Sequence, residues 1–395
     1  MAARLCKPSF QSVVAFGQWA GIFLSFITSS SMNMLIFRPK ALRDFVEEMF
    51  ACFGIPAEDC RLAADVLAYS DEHGIDSHGV ARLITYYDLL KSGRINIHPH
   101  LKIVREKGSV ATMDGDNGLG LIIGPKCNEI AMDKAEIHGS GWVSVCNTNH
   151  YGAAGYYPVK ALERDLIGLS LTNTTKGVVP FGGREKMLGT NPIAIAFPSG
   201  QEPPMVIDMA TSAVAYGKVE IAERQKKSVP LGWCLDKGGN PTIDPLAMIH
   251  GGALLPLGSD AAGSGHKGYC LAAMVDVLSA VLSGANWGPF AVPFAIRSES
   301  QPAFQVGKGI GHFFGAWDIT GFQDLGVFKE SMDAWIRVMR ETPPLEGTQA
   351  VLIPGDPERV AYAVRMKDGI PLDDLVWESI RSISIETGIP LPSPQ

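Results

Sequence analysis

From Lys102 onward the chain alternates short apolar runs of strand length with stretches of helical spacing. Residues 110–113, 141–146, 167–172, 193–197 and 205–207 read as strands, and residues 127–138 and 154–164 as helices between them. That alternation predicts an α/β fold. A Rossmann sheet would carry Gly-x-Gly-x-x-Gly where its first strand turns into a helix. Here Gly118 and Gly120 are followed by Gly124, one place too late, and residues 114–117 read as a turn. Gly307, Gly309 and Gly311 alternate without a strand-to-helix context. Any dinucleotide must therefore be held without a standard Rossmann loop.

The part before Lys102 reads as helical. Leu42, Phe45, Val46, Met49 and Phe53 recur at helical spacing within residues 39–53, and Gly54 ends the run. Further helices are expected over residues 56–70 and 80–91. Residues 269–282 are apolar nearly all round and predict a buried helix. Met332, Trp335, Ile336 and Met339 mark a later amphipathic one.

The net charge of −7 and the absence of a basic patch argue against a nucleic-acid partner. Seven cysteines, an odd number without a Cys-x-x-Cys pair, favour a reducing compartment over a disulfide framework. The first thirty-odd residues differ from the rest: Arg4 and Lys7 precede a mostly apolar run over residues 13–27, and no acidic residue precedes Asp44. A targeting segment, a membrane anchor and a gene-model extension starting ahead of Met32 or Met34 all fit. The run is short for a spanning helix and is interrupted by Gln18. The expectation is a cytoplasmic mature protein without membrane attachment, with mitochondrial import as the rival.

Five segments carry chemistry. Residues 71–83, DEHGIDSHGVARL, bring Ser77, His78 and Arg82 within six positions. A histidine exchanges protons near neutrality, and an arginine fork fits a carboxylate bidentately. If a helix begins at Ile75, His78 and Arg82 share one face. In NTNHYGAAGYY, residues 147–157, His150 opens a small-residue helix, as a second acid/base candidate or as a cap. In residues 172–198, Thr174, Thr175 and Lys176 end a strand and suit a ribose or phosphate, unless the loop is an ordinary glycine-rich connection. Asp208 closes an apolar run in residues 206–220, placed to bind ribose, to orient a histidine or to cap the next helix. Lys267 stands just before the apolar helix, as an anion site would need. No metal site is expected, since His98 and His100 lack nearby acidic or cysteine partners, and Ser77 lacks the Gly-x-Ser-x-Gly elbow of a hydrolase.

The segments DEHGIDSHGVARL, TNHYGAAGYY, FGGREKMLGTNPIAIAFP, VIDMATS and GHKGYCLAAMVDVLSAVLSG, in this order, resemble the malate/L-lactate dehydrogenase family of the second type. Ureidoglycolate dehydrogenase, sulfolactate dehydrogenase and diketogulonate reductase belong to the same group. The resemblance runs from about Leu35 to the C-terminus. It implies a non-Rossmann NAD(P)-binding α/β fold, with a mixed sheet flanked by helices and N- and C-terminal helical parts. It also implies a homodimer with active sites near the subunit interface, acting on a small carboxylate by interconverting a 2-hydroxy acid and its 2-oxo acid with NAD or NADP. By the same resemblance His78 is the proton donor and acceptor, in competition with His150. Arg82 is the carboxylate clamp, assisted by Ser77. Thr174 to Lys176, Asp208, Met209 and Ala210, and Lys267 with Gly268 are cofactor-binding. The expected organisation is an extension over residues 1–33, a helical region over 34–105 with the catalytic segment, an NAD(P)-binding domain over 106–290, and a C-terminal region over 291–395 packing back on the helices. Two rivals stand beside this reading: an imine reductase acting on cyclic imino acids, and a cofactor-binding relic without catalysis.

Overall fold

A computed structural model of the protein describes residues 34–295 and 302–395. The expected extension over residues 1–33 lies outside the described residues. Strand β1 (Leu35–Phe37) leads into α1 (Pro39–Ala51), whose Leu42, Phe45, Val46 and Met49 are buried on one face. Proline at its first position starts the helix at no hydrogen-bond cost. Helices α2 (Ala57–Glu72) and α3 (Leu83–Lys91) pack around the same core.

The central region runs β2 (Lys102–Lys107), β3 (Val110–Gly118), α4 (Gly120–His138), β4 (Ser140–Thr148), α5 (Tyr156–Leu162), β5 (Leu166–Thr172), β6 (Ile193–Phe197) and β7 (Met205–Met209). Then come α6 (Tyr216–Arg224), the short strands β8 (Cys234–Leu235), β9 (Pro241–Thr242) and β10 (Ala253–Leu254), and α7 (Gly265–Asp276). The chain ends with β11 (Ile310–Asp318), α8 (Leu325–Arg340), α9 (Asp356–Asp368), β12 (Ile370–Leu372) and α10 (Asp374–Thr387).

Seven strands form one sheet in the order β2-β3-β4-β11-β5-β6-β7. Only β3 and β4 pair in parallel; the other neighbours are antiparallel, so the sheet is mixed. Alternation along β11 sends Phe314 and Ala316 toward α4 and α5, and Phe313 toward α7. Helices therefore flank both faces. A smaller lobe holds the sheet β10-β8-β9 together with α6, around Val214, Val219, Val229, Cys234 and Leu254. The C-terminal elements return to the start of the chain: β12 pairs with β1, and Ile380 and Ile383 of α10 enter the core of α1 to α3.

Four local expectations are corrected. Residues 114–117 belong to β3, not to a free turn, although Asp116 and Asn117 take positive φ and shift the register there. His150 precedes α5 by six residues, because the chain between them bends at Gly152, which takes a positive φ, and turns into the helix only at Gly155. Residues 76–78 form a turn, so His78 and Arg82 are not on one helical face. The apolar stretch over residues 269–282 is α7 followed by a π-helical turn, and it is buried on one side only. Met274, Val277, Val281 and Leu282 lie 43–56% exposed. Among the described residues no helix is long and apolar enough to cross a membrane.

Candidate active site

The site begins with a buried carboxyl. Asp71, in the last turn of α2, accepts a hydrogen bond from the Val80 amide at 2.9 Å. A Cβ on Gly79 would stand 1.9 Å from Asp71 Oδ1, so only glycine lets the chain close this tightly. Arg365 on α9 donates to the Asp71 carbonyl at 2.5 Å and pairs with Asp76 at 2.6 Å. These contacts force residues 73–79 into a compact loop that presents Ser77 and His78. Burial pushes the Asp71 carboxyl up to about 8, against the pull of the Val80 amide.

Ser77 Oγ lies 2.8 Å from His78 Nδ1. The His78 ring stacks on that of His150, with centroids 5.8 Å apart and planes 20° from parallel. Arg82 reaches back so that its Nε donates to the Ser77 carbonyl at 2.7 Å, while its Nη2 meets Glu220 Oε2 on α6 at 3.1 Å. Burial, then the Arg82 charge, lowers His78 to about 4. Burial first, then the charges of His78 and Arg82, holds His150 well below the ordinary imidazole range. Both rings are therefore neutral at pH 7.

The second histidine has a defined tautomer. Its Nδ1 accepts the Gly152 amide at 3.3 Å, and a backbone N–H can only donate. The Tyr86 hydroxyl lies 2.6 Å from the same nitrogen. Burial raises the pKa of Tyr86, so its hydroxyl keeps its proton and donates. The neutral His150 ring then carries its hydrogen on Nε2. Phe294 also stacks on His150, with ring centroids 4.1 Å apart and planes 19° from parallel.

The nucleotide-binding candidates come from three chain segments. The Phe294 amide donates to Thr175 Oγ1 at 3.0 Å, tying the loop after β5 to the histidine. The Thr190 amide donates to Thr174 Oγ1 at 3.0 Å. The Thr211 amide bonds to the Thr190 carbonyl at 2.9 Å, and the Leu257 amide to that of Thr211 at 2.9 Å. Gly268 lies against Leu257, where a Cβ would stand 2.2 Å from the Leu257 oxygen. A hydrogen-bonded chain thus links Thr174, Thr190, Thr211 and Leu257, against which Gly268 packs, and residues 208–210 lead directly into Thr211. The Thr174 and Thr175 hydroxyls each accept one protein amide and keep their own O–H to donate. Lys176 and Lys267 are exposed, and neither has an ion-pair partner among the described residues. Lys267 stands inside the first turn of α7, not ahead of the helix.

Asp208 behaves differently from its nearest expectation. It accepts the Gly155 amide at 2.8 Å, at the entry to α5, and does not bond to a histidine ring. Three residues absent from the sequence expectations complete the site: Tyr86, Glu220 and Phe294. Tyr86 follows Arg82 by one helical turn, a spacing that signals it; Glu220 and Phe294 come from remote segments that nothing local marks. Among the described residues no three His, Cys, Asp or Glu side chains group as metal ligands.

Two neutral histidines and an arginine thus stand together on a mixed α/β scaffold. The chain matches the malate/L-lactate dehydrogenase family over residues 37–381. Malate dehydrogenase from Pyrococcus horikoshii is 39% identical over 350 residues, which is 88% of this chain and 94% of that protein. L-sulfolactate dehydrogenase from Methanocaldococcus jannaschii is 38% identical over 355 residues, 90% and 98% of the two chains. The crystal structure of malate dehydrogenase from Entamoeba histolytica matches with a TM-score of 0.85 and 33% identity, covering 91% of this chain and 100% of that one. The chain belongs to the malate/L-lactate dehydrogenase family. It is an oxidoreductase that interconverts a hydroxy acid and its oxo acid.

Proposed function

We propose that the protein is an NAD(P)-dependent dehydrogenase of a small 2-hydroxy acid of malate or lactate type, with the His78–His150 pair as its proton-transfer centre. The observation that carries this reading is the stacking of the two rings beside Arg82. When bound, a nicotinamide supplies or accepts the hydride. The rest falls to the chain's own side chains. Arg82 binds the substrate carboxylate through the edge of its fork that the protein leaves open, which fixes the acid's orientation. His150, with its hydrogen on Nε2 and held by Tyr86, donates a hydrogen bond to the substrate oxygen, while the singly protonated histidine pair gives its extra proton to the carbonyl oxygen on reduction and the neutral pair takes it from the hydroxyl on oxidation. His78, oriented by Ser77, faces the same space and shares the substrate oxygen. Phe294 and the buried faces of the rings exclude water from that point.

The residues fit a nicotinamide dinucleotide without a Rossmann turn. Exposed lysines suit phosphates, and Gly268 keeps the α7 entry free of a side chain. Lys176 and Lys267 would hold phosphate oxygens, with Asp208, Met209 and Ala210 beside them. Thr175-Lys176 also suits a 2′-phosphate, so NADP is part of the reading.

A homodimer belongs to the same proposal. Its support is the apolar strip of Met274, Val277, Val281 and Leu282, which one chain leaves exposed. A cytoplasmic location is likewise supported by the six described cysteines, all free thiols. The test is nicotinamide absorbance change with purified protein across 2-oxo acids. Oxidation of NADH or NADPH with oxaloacetate, pyruvate or a close relative is expected; turnover restricted to a cyclic imino acid would assign the protein to imine reduction.

A further inference from the structure

The smaller lobe touches the catalytic loop through α6. Gly217, in the first turn of α6, lies against Ser77: a Cβ there would stand 2.9 Å from Ser77 Cβ and 3.8 Å from Arg82 Nη2. One turn further, Glu220 Oε2 receives the Arg82 Nη2 hydrogen bond at 3.1 Å. The contact joins residues 138 apart in sequence, and both side chains are partly shielded, at 25% and 35% exposure. Arg82 is thus held at two corners of its guanidinium plane. Nε is fixed by the Ser77 carbonyl of its own loop, and Nη2 by the opposite lobe. Among the described residues Nη1 has no partner.

The form of the contact decides between two roles. A carboxylate that competed with substrate for the arginine would occupy the fork with both oxygens. Glu220 uses one oxygen and one nitrogen, and leaves the Nη1 edge open. Guanidinium planarity then transmits the constraint, since fixing two corners fixes the third. We propose that Glu220 is a positioning residue, which holds the Arg82 guanidinium so that its Nη1 edge faces the substrate carboxylate. The inference rests on Arg82 as the carboxylate clamp. It makes α6 a wall of the catalytic cleft, with Gly217 kept small so that this wall can close on Ser77.

The experiment is steady-state kinetics of oxo-acid reduction by the full-length wild type, Glu220→Ala, Glu220→Gln, Arg82→Ala and the Arg82→Ala/Glu220→Ala double variant. Glu220→Ala is expected to raise KM for the oxo acid about tenfold while kcat falls less than about threefold and the cofactor KM stays unchanged. Glu220→Gln, which still accepts from Nη2, is expected to recover most of that loss. In the Arg82→Ala background the second change is expected to add nothing. A lower KM in Glu220→Ala would make Glu220 a competitor for the arginine, and equal losses in oxo-acid and cofactor KM would make its role merely structural; either overturns the inference. A normal KM in Glu220→Ala beside a raised KM in Arg82→Ala would overturn it while leaving the clamp intact. A normal KM in Arg82→Ala would remove the clamp itself.

Discussion

The rings of His78 and His150 lie nearly parallel with centroids 5.8 Å apart, and the Arg82 charge acts on both. Two imidazolium ions at that distance, next to a guanidinium, would repel one another strongly. The pair therefore starts neutral and takes up at most one proton. Replacing either ring tests which of them moves it. His150→Ala is expected to lower turnover by roughly two to four decades, the worth of a positioned acid/base group, while cofactor still binds. His78→Ala is expected to cost about as much through loss of the shared oxygen contact. If His78→Ala alone disables turnover and His150→Ala does not, the proton belongs to His78.

Tyr86 acts on the tautomer of His150, and Tyr86→Phe isolates that effect. Without the hydroxyl, Nδ1 keeps only the long Gly152 contact at 3.3 Å. The hydrogen then partitions between the two ring nitrogens. A fall in kcat of about tenfold with unchanged cofactor binding is expected, the size of one lost hydrogen bond to a functional group. Unaltered kcat would mean that the tautomer is fixed by something else.

The depressed histidines set a pH dependence. For oxidation of the hydroxy acid the base must be neutral, and kcat/KM reports the free enzyme. Its acid limb is expected below 6.5, approaching about 4 if His78 governs it. Activity should be flat across roughly pH 6 to 8. A limb centred at 6.5 or above would contradict burial of the pair.

Asp71 gives a stability prediction of opposite sign. Its carboxyl sits at about 8 in the fold against an ordinary 3.8. Between those values the folded protein holds a proton that the unfolded chain has released, so this residue's contribution falls as pH rises from about 4 to 8. The side-chain amide introduced by Asp71→Asn can still accept the Val80 N–H through its oxygen, and it carries no titrating proton. The stability of Asp71→Asn relative to wild type should therefore grow with pH, read as the difference in urea midpoint at about pH 4.5 and about pH 8. A difference that stays constant would show that Asp71 is ionised in the fold.

Lys176 bears on cofactor choice. It is exposed at the loop that Thr175 ties to Phe294. Lys176→Ala should weaken NADPH about tenfold relative to NADH, the loss of one charge-assisted contact. Equal efficiency with both cofactors before and after the change would remove Lys176 from 2′-phosphate binding.

Much of this fold was legible because its strands are short, apolar and bounded by turns. Residues 193–197 match β6 at both ends, and Leu42, Phe45, Val46 and Met49 are the buried face of α1. The central strand β11 escaped the pattern. It begins amid Gly309 and Gly311, and the latter packs so closely that a Cβ would stand 2.1 Å from the Ser279 oxygen. Glycines needed for that approach hide a strand from any reading of side-chain period. The misjudged helix over residues 269–282 has a different cause: an apolar surface looks the same in sequence whether it meets the chain's own core or is left open. In the site, Ser77, His78, Arg82 and His150 came from local chemistry. Glu220 did not, because its meaning depends on a lobe folding back across 138 residues.

On the proposed reading a histidine pair moves the proton of a hydroxy acid while a nicotinamide exchanges the hydride. Single-turnover reduction of a 2-oxo acid by the NADH- or NADPH-loaded protein, in wild type and in the His78→Ala and His150→Ala variants, tests it most directly. Rapid loss of nicotinamide absorbance is expected in wild type, and loss slowed by roughly two to four decades in the variants with cofactor still bound. Full-rate reduction in both variants would contradict it.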